Sequence, residues 1–150
     1  MTLEVKKLRD PWVALGLAAH FLAKRPPFAG FAAEALIRTL DAQVRRGHYL
    51  LAFEVEGRQA RVSGYLGWVL LDHATAERMA RTGELPSVEL EQGGDVAWVL
   101  TAASESRKAF QALLAEARAL YPQHRVMAVR HKQGRRVLFD RPPPGRRGRS

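Results

Sequence analysis

Apolar residues recur along the chain at two periods, and the change between them marks out the elements. After Asp10-Pro11, the residues Trp12, Leu15, Ala19 and Leu22 follow at helical spacing. A carboxylate that can cap free amides, then proline at the first helical position, makes a strong helix start. Pro26 ends the run, because its ring cannot continue a helix. A second helix is predicted over about 28–46, carried by Phe28, Phe31, Leu36 and Leu40. The cations Arg45 and Arg46 fall in its last turn and Gly47 is its C-terminal cap. The period then drops to two. "YLLAFEVEGRQARVSGYLGWVLL" reads as two strands joined by a tight Glu56-Gly57 turn. Gly64 and Gly67 lie inside the second of these, where glycine marks a bulge or the close approach of another group.

"HATAERMARTGEL" reads as a short helix closed by Gly83, and "LEQGGDVAWVLTAA" as a turn and a strand centred on Trp98 to Thr101. Ser104 is placed as the cap of a long helix whose apolar face is Phe110, Leu113, Leu114, Ala117 and Leu120. "HRVMAVRHKQGRRVLF" is a hairpin turning at Gln133-Gly134. Two helices, two strands, a helix, a strand, a helix and two strands predict an α/β fold: a single domain over residues 1–140, with a mostly antiparallel sheet flanked by helices. A length of 150 residues suits one domain.

Composition narrows the chemistry. With no cysteine, thiolate metal sites, disulfides and cysteine nucleophiles are excluded. "MTLEVKKLRDP" has no apolar core of signal-peptide length, and no apolar run approaches the ~20 residues of a membrane span. A cytoplasmic location and no membrane span are therefore expected. The net charge of +9 is unevenly placed. Residues 1–124 carry 15 Lys/Arg against 14 Asp/Glu, whereas residues 125–150 carry nine against Asp140 alone. The end, "RPPPGRRGRS", has nothing to bury beyond its prolines, so residues 141–150 are predicted to be a disordered basic tail. It is a solvated tail or a site for nucleic acid or an acidic protein; nothing aromatic is interleaved with its arginines.

The histidines are His20 on the first helix, His48 and His73 at element starts, and His124 and His131 flanking the last basic strand. No pair has the i, i+4 helical spacing of a zinc site and no carboxylate completes one, so no metal site is expected. No G-x-S-x-G elbow, phosphate loop or dinucleotide glycine fingerprint occurs.

Beyond these features, "PWVALG…FLAKRPPF", "RRGHYLLAFEVEGRQARVSGYLGWVLLD", "GGDVAWVLTAAS" and "YPQHRVMAVRHKQGRRVLF" together resemble the toxin-activating lysine acyltransferases, the proteins that activate RTX haemolysins. The likeness covers roughly residues 11–139 and rests on element order and on landmarks such as Gly16, Pro26, Gly64, Tyr65, Gly94-Asp95 and Trp98. It implies an acetyltransferase (GNAT)-like fold. It also implies transfer of a fatty acyl chain from acyl carrier protein to internal lysines of a protoxin, generally by a cytoplasmic dimer, with no cofactor beyond the acyl group on its carrier.

Such a reaction needs a base, because a lysine amine with a pKa near 10.4 must lose a proton before it attacks a thioester. The family uses a histidine just past the proline corner and an aspartate on the strand after a Gly-Asp turn. Aligned from Gly16 and Pro26, the histidine position falls on Phe28; aligned from Gly94-Asp95 and Trp98, the aspartate position falls on Thr101. Neither residue is a base at neutral pH. The resemblance then implies either a transferase rebuilt around His20, with Thr101 as hydrogen-bond partner, or a non-catalytic module that docks an acyl chain, carrier protein or target. Binding of nucleic acid through the basic C-terminus is a third reading. Phe28, Tyr65 and Trp68 are the candidate acyl-binding residues, and Arg45, Arg46, Arg135 and Arg136 the candidate contacts to an acidic carrier protein.

Overall fold

A computed structural model describes residues 1–144 of the chain. The elements run β1 (Thr2–Lys6), α1 (Pro11–Leu22), α2 (Ala33–Arg46), β2 (Tyr49–Glu56), β3 (Gln59–Leu71), α3 (His73–Thr82), β4 (Val96–Ser104), α4 (Arg107–Leu120), β5 (Arg125–Lys132) and β6 (Arg135–Arg141). The six strands form one sheet in chain order. The β1–β2, β2–β3 and β5–β6 pairs are antiparallel and the β4–β5 pair is parallel. The fold is therefore α/β with a mostly antiparallel sheet flanked by helices.

The described residues pack as two compact units, residues 1–67 with 101–116, and residues 68–100 with 117–144. The division passes through β3, β4 and α4. In the first unit, Ala14, Ala18, Phe21 and Leu22 of α1 and Leu36, Leu40 and Val44 of α2 pack on Tyr49, Leu51, Phe53 and Tyr65 of the sheet. In the second, Ala76 and Met79 of α3 pack on Val69, Leu71, Val96, Trp98 and Met127.

Local chemistry sets most boundaries as the sequence predicts. The Asp10 carboxylate accepts from the amides of Trp12 and Val13 with Pro11 at the first position of α1. Gly47 and Gly83 close α2 and α3 in the left-handed region, at φ of 73° and 83°. Gln133 and Gly134 turn the last hairpin with positive φ at both residues.

Four boundaries differ. β1 is an additional strand, with Leu3 and Val5 alternating against exposed neighbours. α2 begins at Ala33 rather than 28, because residues 28–30 form a single 3-10 turn and Phe31 and Ala32 are extended. Ser106, not Ser104, caps α4, its hydroxyl accepting from the Ala109 amide at 3.1 Å. The β2–β3 turn sits on Gly57 and Arg58, since Glu56 already pairs with Gln59. Of the tail predicted from residue 141, Arg141 closes β6 and the Pro142 carbonyl accepts from Arg118 at 3.1 Å. Residues 145–150 lie outside the described residues.

Candidate functional site

The expected catalytic pair maps to the first unit. Phe28 opens the 3-10 turn after the Pro26-Pro27 corner and is 7% exposed. Its ring meets Phe31 edge-on at 5.5 Å, and Phe31 itself is 50% exposed. Phe28 packs in the cluster that contains Tyr65. Tyr65 is fully buried, and its hydroxyl donates to Gln43 Oε1 at 2.7 Å. The other end of the same amide, Gln43 Nε2, donates to Thr101 Oγ1 at 3.0 Å. The two aligned positions thus fall in the same unit, and Thr101 is held in a buried, neutral hydrogen-bond chain.

Both strand glycines admit a close neighbour, and Gly67 makes room for the Gln43 amide itself. A Cβ on Gly67 would overlap the Gln43 amide, and one on Gly64 would overlap Leu113 of α4. The β2–β3 register also shifts at Ala52/Phe53, opposite Val62 and Gly64, leaving Ser63 as the bulged residue. Tyr49 stacks on Tyr65 with centroids 6.2 Å apart, and its own hydroxyl is held by the backbone of Leu8. Burial pushes the Tyr65 phenol well above its ordinary pKa, so it stays a neutral donor. No member of the chain Thr101–Gln43–Tyr65 accepts a proton near pH 7.

Other predicted site residues are dispersed. His20 is exposed on α1, its Nε2 3.4 Å from Lys24 Nζ. An imidazole at the surface and a hydroxyl enclosed with Gln43 do not form a pair, so the structure does not join His20 to Thr101. Tyr65 and Trp68 do not line one channel either. Three residues apart on one strand, they point to opposite faces. Trp68 donates instead to Tyr121 Oη at 3.2 Å.

The arginines have separate roles as well. Arg45 pairs with Asp41 at 2.8 Å, with its guanidinium 5.4 Å from the Trp12 ring centre. Arg46 stands on the exposed last turn of α2. Arg135 is exposed, whereas Arg136 donates to the carbonyls of Met79 and Ala80 at the end of α3. Neighbours on one strand, these last two face opposite ways.

The second unit contains a cavity of about 420 Å³ lined by His73, Asp95, Gln123, Arg125, Asp140, Pro142 and Pro143. Arg125 is held by both Asp140 oxygens, at 2.7 and 2.5 Å, and by Glu77. These bonds raise the Arg125 pKa further above the ordinary range and lower that of Asp140. The strongest cation of the cavity is thus already neutralised. Among the described residues, no group of three or more His, Asp or Glu could hold a metal ion. Nor is any helix there long and apolar enough to cross a membrane.

No protein-family model matches the chain, and no curated protein matches it. Among solved structures it is similar to a probable acetyltransferase, at 18% identity over 80% of this chain and 70% of that one, with a TM-score of 0.43. It is also similar to an N-acetyltransferase from Staphylococcus aureus Mu50, at 12% identity over 84% of this chain and 80% of that one, with a TM-score of 0.45.

Proposed function

We propose that this chain is a divergent relative of the toxin-activating lysine acyltransferases that docks an acyl chain on its carrier protein without transferring it. The resemblance in sequence supplies the kinship and the ligand class. One observation carries the reading: where the family has an acid–base pair, Thr101 is locked to Gln43 and Tyr65 in a buried neutral chain. The loss of a general base removes a factor of about 10²–10⁴ from an amine-to-thioester transfer. Binding needs no such group.

The proline corner offers the apolar contact. Phe31 is half exposed against the buried Phe28, and both follow the cis Pro26-Pro27 bond. An aliphatic chain laid on this pair loses apolar surface to the aromatic rings. No cofactor enters, because the acyl group arrives on its carrier.

Acylated and unacylated acyl carrier protein, titrated against the full chain, test this reading. The acylated form should bind more tightly, and Phe31→Asp should weaken it about tenfold, the loss of ~1.4 kcal/mol of apolar contact. Equal affinity for both forms, or an unaltered affinity in the variant, overturns the proposal.

A further inference from the structure

The β5–β6 hairpin sorts its charges by face. Its register pairs Val126 with Arg141, Ala128 with Phe139 and Arg130 with Val137, and these residues share one face with Arg135. Met127, Val129, Leu138, Arg136 and Asp140 take the other. On that second face Met127 packs with α3, Arg136 donates to the α3 carbonyls and Asp140 is bound to Arg125, while Leu138 is exposed. The hairpin's only carboxylate is therefore turned away from Arg130, Arg135 and Arg141.

On the first face Arg130, Arg135 and Arg141 are exposed. Among the described residues, no carboxylate pairs with Arg130 or Arg135. The Arg141 guanidinium lies 4.3 Å from the centre of the half-buried Phe139 ring. An aromatic ring beneath a guanidinium is a flat, cationic platform for a nucleobase. Arg135 and Arg141 lie six residues apart on β6, ~20 Å at ~3.3 Å per residue, with Arg130 opposite Val137 between them, so the cations are spread rather than bunched at a point. The strand is at the edge of the sheet, and the sequence beyond it adds Arg146, Arg147 and Arg149.

We infer that this hairpin face binds single-stranded nucleic acid, with Arg130, Arg135 and Arg141 meeting phosphates and a base stacked on the Arg141–Phe139 pair. An acidic protein would use the charges but would have no need of the stacked platform. The same strand chemistry comes from DNA or RNA. Binding should be sequence-tolerant and salt-dependent.

The test is fluorescence anisotropy of the full chain with labelled oligothymidine and oligouridine of about 20 nucleotides, repeated across salt concentrations. Each phosphate neutralised on a single strand contributes a slope of about −0.7 in log K against log salt. The pair Arg130→Ala and Arg135→Ala should make the slope shallower by about 1.4 and weaken binding at least tenfold. These side chains are exposed, so the variant keeps its fold, which circular dichroism checks. Phe139→Leu should weaken binding about tenfold with the slope unchanged. Removing residues 145–150 should leave the Phe139 effect intact. An unaltered slope in the double arginine variant, binding that vanishes with residues 145–150 alone, or tight binding of an acidic protein with none of either oligonucleotide overturns the inference.

Discussion

Gln43 is held from both ends, donating to Thr101 and accepting from Tyr65, and it lies against a strand glycine. Gln43→Ala strips partners from two buried hydroxyls, each costing ~1–3 kcal/mol when left unsatisfied. The variant should therefore unfold at a lower urea midpoint, with a loss of about 2 kcal/mol or more. Gly67→Ala should cost a similar amount, because the new methyl overlaps the amide. In the double variant the amide is gone, so the two losses should fall short of additivity by about 1 kcal/mol. Additive losses would mean that Gly67 and Gln43 do not constrain each other. Part of this was legible in the sequence. Gly64 and Gly67 were marked as places of close approach, and they are. Gln43 follows Leu36 and Leu40 on the α2 stripe that Val44 continues, and a polar residue on that stripe is the signal that points to it. The spacing of Tyr65 and Trp68 already separated them by face.

Elements were legible where a cap or turn residue fixed them: Asp10-Pro11, Gly47, Gly83 and Gln133-Gly134. They were misplaced where tertiary contacts decide. β1 is five residues with two apolar positions, too short a pattern to stand out until β2 pairs with it. The start of α2 depends on the chain leaving the proline corner as a 3-10 turn. The tie between α3 and the final hairpin was not legible at all, since it joins Glu77, Arg125 and Asp140 from three separate elements. It carries a pH signature. Arg125 holds the Asp140 pKa below its ordinary value, so folding gains from the ionised carboxylate. That gain is complete above the unfolded-state value of about 3.9 and is lost as pH falls below it toward the lowered folded-state value. Urea midpoints measured from pH 7 to 2.5 should drop in this window, and Asp140→Asn should flatten that drop while lowering the plateau. An equally steep acid loss in the variant would remove Asp140 from the account.

At the scale of the whole molecule, the sequence predicted helices around a mostly antiparallel sheet, and this is the observed class. Within this fold the packing gathers residues into two compact units that share β3, β4 and α4. No break in composition marks that division, because it falls inside continuous elements. The parallel β4–β5 pair follows from the connection through α4, since parallel neighbours need a crossover.

The functional account rests on the absence of a base at the two aligned positions, Phe28 and Thr101. Its most direct test is a transfer assay with acyl carrier protein bearing a radiolabelled fatty acyl chain, mixed with stoichiometric full-length chain and a lysine-rich acceptor protein at pH 7.5. The account predicts that label stays on the carrier, leaving it no faster than in buffer, while the carrier itself is retained by the chain. Label appearing in amide linkage on the acceptor, at a rate that depends on this chain, would contradict it.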